Sequence, residues 1–333
     1  MSKSLRGLLN LGIVLAVAAL FCGFLPYLQT TLLGIPKAFL PVIQLPPEKL
    51  TAEPLFFIGS SPVYLTNTIV AVLLADLILI VLALLARARL REVPEGLYGV
   101  FEMLIEGLYN LTEQLVGNRR ARPIFMIITT IFLLILTANW MHFIPGVDSV
   151  GILHHAEEGH EGYAATPIGG SNIFYLDEPA EGEHGEYVVT PFLRTASTDI
   201  NLPLGLAIVS FVTIQVFGVI ALGGGYLAKF INLPALGKGG MGFIDFGVGL
   251  LELILEPVKI VSLTFRLLGN IFGGAILLFV ISTLVPFLLP TALYGFEMFI
   301  GVIQAFVFAM LTLMFTSLAM TSHHAEEHAE GHH

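Results

Sequence analysis

Residues 248–285 read VGLLELILEPVKIVSLTFRLLGNIFGGAILLFVISTLV. As one α-helix this stretch is about 57 Å long, nearly twice the ~30 Å hydrocarbon layer of a bilayer. The apolar stretch 292–320 that follows is about 44 Å long as a helix. Neither stands upright in a membrane, and ordinary tilt does not absorb the excess. Pro286 and Pro290 interrupt the chain between them. The two stretches predict a hairpin of long, steeply tilted membrane helices.

The rest of the chain fits that setting. Of 333 residues, 56% are hydrophobic and only 12% charged, against about 25% charged in a soluble protein. Mean hydropathy is +0.86. Further apolar stretches occupy about 8–28, 68–86, 123–144 and 203–224. The ten-residue alternation of a membrane β-barrel is absent. The expected fold is an all-α integral membrane protein with five to six membrane helices. One cysteine, Cys22, excludes a disulfide scaffold, a thiolate zinc site and an iron–sulfur cluster. A net charge of −10 with 15 basic residues argues against nucleic acid as a partner. Neither GxxxxGK[ST] nor GxSxG occurs, so no P-loop and no nucleophile elbow is expected.

Basic residues set the topology. Arg87, Arg89, Arg91, Arg119, Arg120 and Arg122 lie in segment 87–122, and Lys229 and Lys238 in 225–247. Both segments are expected to be cytoplasmic. The 145–200 loop holds Arg194 against ten Asp and Glu, which places it outside. Lys3 and Arg6 put the N-terminus inside, and the stretches then alternate without conflict. The organisation expected is an N-terminal segment over 1–30 and an outer segment over 31–66. Two spans follow over 67–145, with 87–122 between them. After an acidic, His-containing outer loop (146–200) come a span with its cytoplasmic loop (201–247), the tilted hairpin (248–322) and a His/Glu-rich cytoplasmic tail (323–333). The first stretch reads either as an uncleaved anchor, favoured by its length, or as a secretory signal. Residues 95–118 have helical amphipathic spacing and lie at the inner interface or pack on a span.

Glu252, Glu256, Lys259 and Arg266 are charges at membrane depth, where such groups face protein or a water-filled cavity. Steps of seven drift only about 20° around a helix. Glu252, Lys259, Arg266 and Asn270 therefore share a face, with Gly273 and Gly274 next along it. Glu256, three residues before Lys259, is placed to pair with it. No acid lies within a turn of Arg266, which cannot shed its proton. Its anionic partner comes either from another helix, passing over the flat surface of Gly269, Gly273 and Gly274, or from an internal pair with Glu297 or Glu252. Glu297 and Gln304 are again seven apart, and Gln304 falls within roughly 8 Å of rise of Arg266 across the expected turn. Asp199, Asn201 and Asn139 continue a broken polar chain towards the outside, and Glu252 and Glu256 towards the inside. Two half-paths that do not join, with a fixed cation between them, suit a device that must not leak.

The run Leu263-Thr264-Phe265-Arg266-Leu267-Leu268-Gly269-Asn270 with Gly273-Gly274 resembles the signature helix of the a subunits of F-type ATP synthase membrane sectors. The likeness extends to Phe296-Glu297 and Gln304-Ala305-Phe306. It includes Thr137-Ala138-Asn139 with Pro145, Ser197-Thr198-Asp199-Ile200-Asn201, and Pro54-Leu55-Phe56-Phe57-Ile58-Gly59, covering about 50–322. The resemblance implies that Arg266 is the essential arginine facing the rotor ring of c subunits, with Gln304 and Asn270 as its polar neighbours. It implies an outer proton path through Glu297, Asp199, Asn201 and Asn139. The inner proton path expected runs by Glu252, Glu256 and Lys259, with Glu252 at the position the resemblance assigns to it. Ala275 stands where some relatives carry Glu or His, so Glu297 is expected to serve as the one acid there. The implied partners are the c-ring, subunit b of the peripheral stalk, the rest of the ATP synthase and the lipid bilayer. The implied location is a bacterial inner membrane, and neither cofactor nor metal is expected.

Other signals carry less. Segments 154–162 and 323–333 are near copies rich in His and Glu, readable as metal-binding or pH-buffering, or as solvated acidic sequence. The topology sets them on opposite sides of the membrane. His324-Ala325-Glu326-Glu327-His328 matches a zinc-peptidase pattern but sits in low-complexity sequence. Asp76, alone in the second stretch, reads as a helix-packing or access residue rather than a relay. Loop 146–192 reads as a cap near the outer mouth. A free-standing carrier would need inverted repeats, which are absent from the sequence. An intramembrane metalloenzyme would need ligands at membrane depth.

Overall fold

The computed structural model describes residues 47–51, 53–88, 97–144, 150–155, 163–167, 174–177, 187–230, 240–284 and 288–321. Stretch 8–28, loop residues 156–162 and tail 323–333 lie outside them. The elements in chain order are β1 (Phe56–Ile58), β2 (Ser61–Val63), α1 (Asn67–Ala88), α2 (Leu97–Val116) and α3 (Asn118–Trp140). They continue with β3 (Gly151–His155), β4 (Ala164–Pro167), β5 (Phe174–Asp177), β6 (Tyr187–Pro191), α4 (Asn201–Leu222), α5 (Gly225–Phe230), α6 (Gly240–Leu284) and α7 (Leu288–Met320). Five helices among the described residues are long and apolar enough to cross a membrane: Asn67–Arg87, Asn118–Trp140, Asn201–Leu222, Phe246–Leu278 and Leu289–Met320. The protein is a mostly helical integral membrane protein, as the apolar stretches predict. With 45 residues, α6 is longer than its apolar stretch, beginning eight residues earlier at Gly240.

The chain divides into two compact units. The first comprises Met1–Ala71, Met141–Thr195 and Phe272–Phe299. Its strands form three two-stranded antiparallel sheets, β1–β2, β3–β6 and β4–β5. The 146–200 loop therefore carries short hairpins that its sequence did not announce. Where β3 meets β6, a Cβ on Gly151 would lie 2.6 Å from the carbonyl carbon of Thr190, so only glycine admits this approach. At the start of α1, buried Asn67 accepts a hydrogen bond from the Glu48 backbone N–H (3.3 Å) and donates to Glu48 Oε2 (3.4 Å).

The second unit comprises Val72–Trp140, Ala196–Ile271 and Ile300–His333. Its core joins Ile128 and Phe132 of α3, Ala207 of α4, Leu267 of α6, and Phe308 and Leu313 of α7. Small hydroxyls stitch these helices where apolar burial gives no direction: Thr312 donates to Ser210 Oγ (3.1 Å), and Ser317 to the Leu115 carbonyl (2.7 Å) at the end of α2. Helix α2 packs beside α3, with Leu108 in the core and Tyr109 edge-on to Phe125 at 5.2 Å. Packing on a span, one of the two sequence readings of this segment, is present. Gly117 (φ 78) and Gly223 (φ 58) turn the chain out of α2 and α4 in a left-handed conformation that residues with a Cβ disfavour.

Candidate functional site

Among the described residues of the second unit, two polar clusters and the charge of Arg266 bear on the candidate site. The first cluster is built on Glu256. A carboxylate in an apolar span has to be hydrogen-bonded to stay there, and Glu256 is 6% exposed. Its Oε2 accepts from Gln215 Nε2 of α4 at 2.8 Å, and its Oε1 from Lys259 Nζ at 2.5 Å. The Lys259 ammonium also stands 5.1 Å from the centre of the Phe315 ring of α7. Tyr226 of α5 donates its hydroxyl to Gln215 Oε1 at 2.8 Å. The chain of donors thus runs Tyr226 to Gln215 to Glu256, with Lys259 closing it.

Two features fix Tyr226. A Cβ at Gly218 would overlap its ring, 2.7 Å from Cζ, so the bare backbone of α4 is the surface on which the phenol lies. Its pKa is pushed up to about 12, first by burial and then by the negative charges of Glu256 and Glu252. The hydroxyl therefore stays a donor at every physiological pH. The predicted pair of Glu256 with Lys259 is present. Gln215 and Tyr226 were not among the residues picked out from the sequence. The signal for Gln215 was there, as one amide inside the apolar stretch 203–224.

The second cluster gathers residues expected near the outer path. Asp199, 6% exposed, accepts from the backbone N–H (3.1 Å) and the Nδ2 (2.9 Å) of Asn201. Asn139, buried at the end of α3, accepts from Ser197 Oγ at 2.9 Å. Gly301 of α7 lets that helix come close, since a Cβ there would lie 3.4 Å from Asn139 Cβ. Two buried amide donors, Asn139 Nδ2 and Gln304 Nε2, have no acceptor among the described residues.

Arg266 stands apart. It is exposed, with Phe265 beside it 59% exposed, and forms no ion pair with any described residue. Within its unit, the internal pair with Glu252 is not formed. The surface around it on α6 is uncovered and apolar or flat: Val258, Val261, Phe265, Gly269, Gly273 and Leu277 are all exposed. Lys259, placed by heptad spacing on the same face as Arg266, instead turns its amine to Glu256 and Phe315, as its long stem permits. Asn270, a turn beyond Arg266, is half-buried, as is Glu252.

In the first unit, Glu297 of α7 lies against Gly274 of α6. A Cβ at 274 would fall 2.5 Å from Glu297 Oε1, so the glycine makes room for the carboxylate. Near the start of α1, Glu48 has its pKa raised by burial, against the opposing effects of the Arg194 and His154 charges and a hydrogen bond with Thr190. Among the described residues no group of three or more His, Cys, Asp or Glu could hold a metal ion.

Comparison with known proteins identifies the family. The family model described as ATP synthase A chain matches residues 67–317. The ATP synthase subunit a of Mycobacterium bovis is 31% identical over 261 residues, covering 77% of this chain and 87% of that protein. That of Moorella thermoacetica is 26% identical over 271 residues, covering 81% and 96%. That of a Geobacter species is 28% identical over 237 residues, covering 71% and 80%. With three quarters of its length matched by the family model and a relative above 30% identity across most of both chains, the protein belongs to the ATP synthase A chain family, the a subunits of ATP synthase.

Proposed function

We propose that this chain is the stator subunit of an F-type ATP synthase that conducts protons through two half-channels and, through Arg266, couples their flow to rotation of a c-ring. Membership of the family makes it a membrane subunit of the synthase, not itself the site of ATP chemistry. The observation that carries the finer reading is Arg266: a permanent cation at membrane depth, exposed on an uncovered apolar face, with no counter-ion among the described residues. Such a charge calls for a carboxylate from outside the chain, and Gly269 and Gly273 leave the backbone open to one.

The mechanism follows from charge and solvation. A proton enters by Asp199, Asn201, Asn139 and Glu297 and neutralises a rotor carboxylate. The buried, unmatched amide donors of Asn139 and Gln304 support a hydrated or partner-lined route there. The neutral carboxyl can turn into lipid, where a carboxylate would be costly. After nearly a full turn it loses the proton at Glu252. Glu256 and Lys259, already satisfied by each other and by Gln215, flank that group as fixed charges rather than carriers. Arg266, with Gln304 and Asn270 near it, holds the returning carboxylate ionised by lowering its pKa and blocks a direct run of protons between the half-paths. A membrane potential supplies about 2.3 kcal/mol per charge per 100 mV.

The same reading places the protein in a bacterial inner membrane with its C-terminus in the cytoplasm, beside the c-ring and subunit b of the peripheral stalk. The test is ATP-driven acidification of inverted vesicles carrying Arg266→Ala, with assembly checked by native gel in the same preparation. Pumping should vanish while the complex assembles. Pumping at the normal rate would show Arg266 to be structural.

A further inference from the structure

Tyr226 is buried on the short helix α5, just past the last turn of α4. Its ring meets Phe230 edge-on at 5.2 Å, and both join Ile214 of α4 and Ala319 of α7 in a small apolar cluster. A phenol buried in this way needs a partner for its hydroxyl, and the partner is Gln215 Oε1. An amide has one accepting and one donating side, whereas a carboxylate only accepts. With Oε1 taken by the phenol, Gln215 turns Nε2 to Glu256, so a single orientation of the amide satisfies both neighbours. The phenol tethers the amide in that orientation and, by polarising it, strengthens its donation to the carboxylate.

Glu252 stands one turn before Glu256 on α6, about 6 Å of rise away. It is half-buried, whereas Glu256 is buried. Both charges reach the phenol and, with burial, hold its proton in place. The other charge facing Glu256 among the described residues is Lys259. Around the pair, α4 brings Gln215 and α7 brings Phe315, neither of them charged, and α5 has Lys229 in its sequence.

We infer that Tyr226 is a positioning residue for proton exchange at Glu252, acting through Gln215 to hold the Glu256 carboxylate ionised against Lys259. The ammonium is then neutralised inside the pair, and Glu252 keeps the proton affinity that exchange requires. When the amide is released, Glu256 loses a donor and takes up a proton more readily. Lys259 is left as an unmatched cation about 10 Å along the helix from Glu252, and Glu252 binds protons less well. The inference deepens the reading of Glu252 as the inner proton-exchanging group and rests on it.

The experiment uses inverted vesicles carrying the assembled synthase, in which the bath supplies the inner path with protons. ATP-driven acidification is followed as the bath pH is raised, with assembly checked on a native gel. All variants share one catalytic sector, so its own pH dependence cancels in the comparison. Tyr226→Phe keeps the ring and removes only the hydroxyl. Pumping is expected to fail at a bath pH about half a unit lower than in the parent. In a Glu256→Gln, Lys259→Met background the charges it works through are gone, and Tyr226→Phe is expected to leave the profile of that background where it was. No shift in the parent, or the same shift in both backgrounds, overturns the proposal. Gln215→Leu removes the same donation and decides in the same way where Tyr226→Phe yields too little complex. Glu252→Gln is measured alongside. A parental profile for Glu252→Gln overturns the inner path and this inference with it, whereas an altered one with Tyr226→Phe silent overturns the role of Tyr226 alone.

Discussion

Gln215 Nε2 lies 2.8 Å from Glu256 Oε2, so an amide from α4 and an ammonium three residues along α6 together hold a carboxylate that is 6% exposed. The two partners are not equivalent. Removing the amide leaves a charged acceptor one donor short, a loss of about 1.5–3 kcal/mol. Removing the ammonium leaves a buried charge uncompensated, about 3–5 kcal/mol for a fully buried pair. Lys259 is 25% exposed, which puts it towards the lower end of that range. Lys259→Met should therefore lower the heat stability of the purified complex more than Gln215→Leu. Adding Glu256→Gln to Lys259→Met should recover much of the loss. A double variant no better than Lys259→Met alone would mean that the pair contributes nothing by its charges.

Gly218 and Tyr226 make a steric prediction. A methyl at 218 would overlap the phenol, so Gly218→Ala must push Tyr226 off Gln215 and strain the α4–α5 turn. The expected loss is about 1–3 kcal/mol, against about 0.5–1.5 kcal/mol for Tyr226→Phe, which deletes only the hydrogen bond. The discriminating variant is Gly218→Ala with Tyr226→Ala. It should be more stable than the two single losses added together, because the clash is gone. Simple additivity would show that the ring does not rest on Gly218.

Titration supplies an independent reading of the same contact. The phenol of Tyr226 is raised from an ordinary value of 10.0 to about 12, so the folded state favours its protonated form. A raised pKa contributes stability that is complete below pH 10 and is lost as pH climbs towards 12. Unfolding midpoints measured from pH 9 to 12 should fall, and Tyr226→Phe should flatten that fall. Glu48 works in the other direction at neutral pH. Burial raises its carboxyl, so ionisation there opposes folding. Glu48→Gln, which keeps an acceptor and donor for Asn67, should stabilise at pH 7 and lose its advantage below the ordinary carboxylate value of 4.5. A variant equally stabilised at pH 4 and pH 7 would remove the electrostatic explanation.

How much of this was legible before the fold was known depended on the length of each signal. A span is a run of about 20 apolar residues, and each of the five helices announced itself to within a few residues, with the early start of α6 at Gly240 as the exception. Charges in those runs stand out singly, which is why Glu256, Lys259 and Arg266 were visible. The pairing of Glu256 with Lys259 followed from their spacing alone. Gln215 and Tyr226 were passed over because their meaning is tertiary. An uncharged amide in a span is inexpensive until a carboxylate from another helix meets it, and Tyr226 depends on the absence of a side chain at Gly218. The hairpins β3–β6 and β4–β5 were missed for a different reason. Strands of four or five residues such as Ala164–Pro167 and Tyr187–Pro191 are too short for alternation to rise above an acidic, Gly- and Pro-rich background.

Glu297 and Gly274 carry the last prediction, which separates function from stability. The atom that a Cβ at 274 would strike is Oε1, the far end of a flexible side chain, so the carboxylate can swing away at little structural cost. Gly274→Ala should leave assembly and heat stability within about 1 kcal/mol of the parent. If Glu297 carries protons on the outer path, moving it should slow ATP-driven pumping by about tenfold, equivalent to roughly 1.4 kcal/mol of barrier. Shortening the acid in the same background, Gly274→Ala with Glu297→Asp, relieves the contact. That double variant should pump faster than the product of the two single effects predicts. The coupling is what matters, because Glu297→Asp alone also changes reach. Additive losses would mean that Gly274 acts elsewhere on α6, while a Gly274→Ala complex that pumps normally would remove the position of Oε1 as a determinant of proton entry.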